Sequence, residues 1–345
     1  MKYSNIPNTN IRVSKICLGT MTFGQQNTEQ EAHEQLSYAV DQGVNFIDTA
    51  EMYSIPGSKE TQGNSEKYIG SWLKDQKRED LVVATKVTGP NDYFNYLREN
   101  LGFSKPVILD ALDKSLKRLQ TDYVDVYQLH WPDRNVPFFG QRNYKHNSNE
   151  QWEDNIKEVV EILDGLVKEG KIRNYGVSNE SSWGVMRHLN ESTQNNLTRC
   201  KTIQNPYSLL NRLFEINLAE VSMRENVGLL AYSPLAFGVL SGKYLNGQLP
   251  ENSRIKLFPN YKRYNSDQST FLTEKYLELA TELNISLAQL SLAFVNQQPF
   301  LTGNIIGATT MKQLKENIGS IHVELSIETL LKIDEIQELQ PNPAP

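Results

Sequence analysis

Apolar positions along this chain follow two alternating rhythms. Short runs rich in Val, Ile, Leu and Tyr occupy residues 44–47 (with Asn45 inside), 81–85 and 123–129. Bounded by turn or helix signals, these runs predict strands. Further strands are predicted at 15–18, 172–177, 202–204, 228–232 and 304–306, with an N-terminal hairpin around 7–10. Between them the spacing turns helical. Residues 29–42 predict one helix, and Ile156, Val159, Val160, Leu163, Leu166 and Val167 form a stripe suited to one buried face. Ile108, Leu112, Leu116 and Leu119 form another, after Ser104 as a cap and Pro106 in the first turn.

Eight strands with helices between them favour a parallel sheet, because parallel neighbours need long crossovers. One (β/α)8 barrel domain over residues 1–345 is the economical reading, since no linker-like stretch interrupts the series and only the tail at 341–345 looks loose. The segment 132–151 is long and carries Phe138, Phe139 and Tyr144 among polar residues. Long loops of that kind form lids or substrate walls, or else self-packed surface loops.

Composition narrows the function. The chain is 39% hydrophobic and 22% charged, with a net charge of −6. Such a balance disfavours non-specific binding to nucleic acid or to an anionic membrane, so an anionic ligand needs local positive charge. Cys17 and Cys200 are too few for a disulfide framework. The N-terminal residues lack an apolar signal segment and no apolar run is long enough to span a bilayer, so a soluble cytoplasmic protein is expected. No G-x-G-x-x-G occurs, and Gly238 to Tyr244 is one residue short of a phosphate loop, with Tyr244 where Ser or Thr should stand. The five histidines are scattered and predict no metal site.

Candidate chemistry sits where strands end. Asp48, Tyr53, Lys86 and His130 each fall at or just after the end of a predicted strand. In a parallel barrel the reacting groups lie at that face. Reduction of a carbonyl needs a proton for the developing alkoxide. A tyrosine can give it, a neighbouring lysine lowers the tyrosine pKa, an aspartate holds the lysine charged, and a histidine orients the substrate oxygen. Singly, each has a plainer reading: Asp48 as a helix cap, Lys86 as a solvated strand end, Tyr53 as packing, His130 as a structural histidine. The four together point to a proton-donating site.

The stretches GVNFIDTAEMY (43–53), VATKV around Lys86, YQLHW around His130, YGVSN (175–179) and IGATTMKQLKEN (306–317) resemble the aldo-keto reductase fingerprint, in the family's order. Within it, GTMTFG (19–24), IQNPYSLLNR (203–212) and LAYSPLAFGVLSGKYLNG (230–247) are most similar to the bacterial Tas-like NADP(H)-dependent branch. The resemblance implies a barrel that binds NADPH/NADP+ without a Rossmann domain and reversibly reduces a small-molecule aldehyde or ketone. It implies Tyr53 as proton donor, with Asp48, Lys86 and His130 completing a tetrad. Ser178, Asn179 and Gln204 would hold the nicotinamide carboxamide, and Tyr232 would stack on the ring. Ser233, Pro234, Leu235, Gly238, Leu240, Gly242 and Lys243 would close over the pyrophosphate. Gly307, Thr309, Gln313, Glu316 and Asn317 would surround the adenosine end.

Near the first strand, Gly19, Thr20 and Met21 are assigned to the cofactor, and Met21 and Trp131 to the substrate pocket. Many members carry a basic residue after the last strand to grip the 2′-phosphate, whereas this chain has Gly307, Ala308 and Gln313 there. Lys243 and Arg254 resemble residues serving that purpose in another branch; their plainer reading is as surface cations. Two rival functions follow. Lys86 could form a Schiff base, as in an aldolase. Some family barrels are channel-associated subunits that bind NADPH and turn over slowly, but those carry Asn where this chain has His130. Oligomeric state and physiological substrate are not readable from the sequence.

Overall fold

The computed structural model describes residues 1–345. Two short antiparallel strands, β1 (Tyr3–Asn5) and β2 (Arg12–Ser14), form the expected hairpin. Eight parallel strands follow: β3 (Ile16–Gly19), β4 (Phe46–Asp48), β5 (Val82–Val87), β6 (Val124–Leu129), β7 (Ile172–Ser178), β8 (Thr202–Pro206), β9 (Gly228–Tyr232) and β10 (Leu301–Ile306). Each pairs with the next in the chain, and β10 pairs with β3 to close the barrel. The fold is thus the (β/α)8 barrel expected from the sequence.

Successive side chains on a strand point to opposite faces, which sorts the barrel into layers. Outward residues such as Ile16, Leu18, Ile47, Val83, Tyr127 and Leu129 join the helices in one large core. Inward residues Cys17, Phe46, Val82, Ala84, Val126, Leu230 and Ile305 form a separate apolar plug. Ile6 and Val13, from the hairpin, are fully buried against that plug and cap its N-terminal end. The interior is therefore sealed at one end, and polar inward positions collect at the other.

The predicted helix at 29–42 is observed as Glu29–Asp41, with a capping box between Thr28 and Glu31. Ser104 stands at the N-cap of the helix Lys105–Leu119, but its hydroxyl makes no capping bond. The C-terminal third adds two helices and one correction. The long connection between β9 and β10 holds the helices Asp267–Glu282 and Leu287–Asn296, the second buried at nine of its positions. The tail is not loose: Ala344 is fully buried and its N–H donates to the Leu210 carbonyl at 3.1 Å. Arg142 and Arg263 donate to the backbone oxygens of Pro343 and Pro345 at 3.0 and 2.7 Å. Prolines rich in apolar surface settle on the barrel once two guanidinium groups satisfy their carbonyls. No helix is long and apolar enough to cross a membrane.

Candidate active site

The inward polar layer begins one step above the apolar plug. Asp48 lies two residues beyond Phe46, Lys86 two beyond Ala84, and Gln128 and His130 two and four beyond Val126. Period-two alternation puts all of them inside the barrel at its C-terminal end. The Lys86 side chain is fully buried, and its Nζ donates to Asp48 Oδ2 and to the Thr49 carbonyl, both at 2.7 Å. The same Nζ lies 5.0 Å from the centroid of the Tyr53 ring. Tyr53 meets the His130 ring edge-on, with centroids 5.9 Å apart. Four residues distant in sequence thus converge at one spot.

Burial and charge set their protonation. Burial alone would lower the Lys86 pKa, but Asp48 and Tyr53 outweigh it and the net shift is upward, which keeps the ammonium charged. At Tyr53 the Lys86 charge lowers the pKa, in the direction expected from the sequence. Burial is the larger effect, and the net shift is upward despite Lys86. Tyr53 is therefore a neutral phenol around neutrality. His130 is pushed well below the ordinary imidazole value by burial and then by the Lys86 charge, so it is a neutral ring. Its Nδ1 is buried without a partner.

Beside the four, the ends of β7, β8 and β9 interlock. Asn179, at φ +54°, donates from Nδ2 to the His130 carbonyl at 2.8 Å and accepts from the Tyr232 hydroxyl at 2.5 Å. Asparagine tolerates that left-handed conformation because its short side chain bonds locally. Ser178 donates to the Gln204 carbonyl at 2.7 Å. Burial raises the Tyr232 pKa to about 12, leaving it a donor.

These groups open onto a cleft of about 1380 Å³. That exceeds the roughly 300–1,000 Å³ typical of small-ligand pockets, leaving room for a dinucleotide and a second molecule. Tyr53, Asp48 and His130 line it, whereas Lys86 lies behind Asp48 and Tyr53 and does not. Gly19, Thr20 and Met21 line it, as do Ser178, Asn179, Gln204, Tyr232, Ser233, Pro234, Leu235, Gly238, Lys243 and Arg254. So do Gly307, Thr309, Gln313, Glu316 and Asn317, around the start of the helix Met311–Gly319. Leu240 and Gly242 depart from expectation. Leu240 is fully buried in the large core, and Gly242, at φ +77°, does not line the cleft although Ser241 and Lys243 on either side of it do.

Met21 and Trp131 line the cleft mouth together with Met52, Tyr93, Phe94 and Phe139. Phe139 packs on Trp131 at 5.8 Å, which brings the loop 132–151 to the cleft wall. Two partners escaped the sequence reading. Gln128 contacts Asp48, and its signal was alternation with His130 on the same strand face. Glu51 pairs with Arg98 while accepting the Thr88 N–H at 2.7 Å, which anchors the segment leading to Tyr53; an acid three residues after Asp48 was its only trace. No group of three or more His, Cys, Asp or Glu side chains is placed to hold a metal ion.

A neutral phenol, a neutral imidazole and a fixed cation behind them suit hydrogen-bond or proton donation to an oxygen that gains negative charge. Comparison with known proteins gives the family. The aldo/keto reductase family model matches residues 15–338. The chain is 48% identical over its whole length, and the whole of theirs, to proteins named tas from Escherichia coli and Shigella flexneri. It is 34% identical to the oxidoreductase YrpG of Bacillus subtilis, over 97% of this chain and 96% of that one. A rice protein named as a probable voltage-gated potassium channel subunit beta is 31% identical over 99% of this chain and 98% of its own. On these grounds the chain belongs to the aldo/keto reductase family and is an oxidoreductase.

Proposed function

We propose that this oxidoreductase reduces aldehydes or ketones to alcohols, reversibly, with NADPH as the reductant. The observation that carries the reading is the meeting of Tyr53 and His130 on the cleft wall with the buried Lys86–Asp48 pair directly behind. The residues present fit a nicotinamide dinucleotide. The cleft is large enough, Gln204 lines it with Oε1 unused within the protein, and Lys243 and Arg254 line it without a carboxylate partner. A bound nicotinamide supplies the hydride. Ser178, Asn179, Gln204 and Tyr232 would hold its ring and carboxamide, and Thr309, Gln313, Glu316 and Asn317 the adenosine end.

The chain's own residues do the rest. His130, held neutral, donates from its cleft-facing nitrogen to the substrate oxygen and fixes its position. Tyr53 gives its hydroxyl proton to that oxygen as negative charge develops. Lys86, held charged by Asp48, stabilises the phenolate left behind. Trp131, Met21 and Phe139 exclude water from the substrate side. In the oxidative direction Tyr53 takes the proton back. Lys86 is poorly suited to Schiff-base chemistry, because it is fully buried, salt-bridged and held protonated.

The test follows the loss of NADPH absorbance with 4-nitrobenzaldehyde in the wild type and in Tyr53→Phe. The variant should bind NADPH as before and lose activity by about a hundredfold or more, the scale of a missing general acid. NADPH binding without turnover on any carbonyl would favour a slow regulatory subunit, and absence of NADPH binding would refute the cofactor reading.

A further inference from the structure

The two carboxylate oxygens of Asp48 have different company. Oδ2 accepts from Lys86. Oδ1 accepts from Nε2 of Gln204 at 2.8 Å and from Nε2 of Gln128 at 3.3 Å. Gln204 Nε2 also donates to Gln128 Oε1 at 3.2 Å. An ionised carboxylate only accepts, so the amide atom turned to it must be nitrogen on both glutamines. Both amide protons of Gln204 are then engaged, one by Asp48 and one by Gln128. Its Oε1 is left for the cleft that the residue lines.

Barrel register makes this contact possible. Gln128 on β6 pairs with Gly176 on β7, and Ser178 on β7 pairs with Gln204 on β8. At the level of Gln128 the intervening strand offers no side chain, so the two amides meet across it. A Cβ at Gly176 would lie 2.1 Å from the Thr202 hydroxyl, which shows how closely that gap is filled.

We infer that Gln128 is a positioning residue: it clamps the Gln204 amide so that only an acceptor faces the cleft, and the site selects a ligand that offers a donor there. On the cofactor reading above, on which this inference rests, that donor is the carboxamide NH2 of the nicotinamide. Without the Gln128 acceptor the Gln204 amide is held by Asp48 alone and is free to rotate about that single bond, so its Oε1 is no longer fixed toward the cleft.

The experiment compares NADPH with its reduced 3-acetylpyridine analogue, in which a methyl group replaces the carboxamide NH2. Affinities are measured by calorimetry for the wild type, for Gln128→Met, which keeps side-chain length, and for Gln128→Leu as a second apolar variant. The wild type should prefer NADPH about tenfold, and either folded variant should prefer it less than about threefold, since one hydrogen bond is gained or lost. A purely structural role would weaken both ligands by one factor. An unchanged ratio in the variants therefore overturns the inference alone, as does a wild type that binds both equally. A wild type that binds neither overturns the cofactor reading as well.

Discussion

At Tyr53, two opposed influences decide what the residue can do. Burial favours the neutral phenol, and Lys86 close to the ring favours the phenolate. Burial wins, so the hydroxyl carries its proton above the ordinary tyrosine value of about 10. Lys86 is likewise shifted upward, and His130 downward from about 6.5. None of these three then titrates across the neutral range. The pH dependence of reduction follows from the signs. Alkali removes the Tyr53 proton that reduction consumes, and acid charges His130 only well below its ordinary value. We predict that kcat/KM for reduction is level from about pH 6.5 to about 10 and falls only above that, in accord with those reference values and the upward shift of Tyr53. A break near pH 7 would mean that His130 titrates freely and that its burial has been misjudged.

Among the elements, the loop 132–151 most clearly couples fold to selectivity. It has no regular secondary structure, yet Val136 is buried and Phe139 reaches the cleft while half exposed. The Phe139 ring packs on Trp131 and Phe138, which makes an apolar wall beside Tyr53 and His130. Phe139→Ala should raise KM for 4-nitrobenzaldehyde about three- to tenfold, the loss of an aromatic contact near 1 kcal/mol, and leave NADPH affinity unchanged. A parallel loss of NADPH affinity would show that the loop serves the cofactor side instead. Strands and the four strand-end polar residues were legible because apolar runs of fixed length must be buried, and a charge at the end of one has to be explained. Gln128 was not, since an amide inside a fully buried strand differs from its neighbours only by the face it takes. The tail was misread because Pro and Asn describe a break in regular structure, not whether Arg142 and Arg263 will hold the break in place. Leu240 shows the limit of resemblance: it sits in the matching segment but packs into the core.

Across the whole molecule, charge is distributed against its own average. The chain is acidic overall, at −6, yet the cleft is lined by Lys243, Arg254, Lys262, Arg263 and Lys312 against only Asp48 and Glu316. Asp48 is already neutralised by Lys86. A low-dielectric cleft with surplus cations draws in an anion that the exterior would repel. Arg254 is half-buried over the Phe237 ring at 4.9 Å, and burial lowers its pKa without discharging it at neutrality. Lys243 reaches over the Tyr244 ring at 5.2 Å, with its Cε and Nζ against Gly238, so any larger residue at 238 would displace its tip. Neither cation has a carboxylate within the protein to satisfy it. A 2′-phosphate is the part of NADPH that NADH lacks, and a charge-assisted bond to it is worth about 1.5–3 kcal/mol. Lys243→Ala should therefore weaken NADPH binding by about tenfold and NADH binding by less than about twofold, with the NADPH effect shrinking at high salt. Equal weakening of both dinucleotides would make Lys243 a general contributor to cleft charge, and discrimination would then have to come from Arg254, the other unpaired cation of the pair.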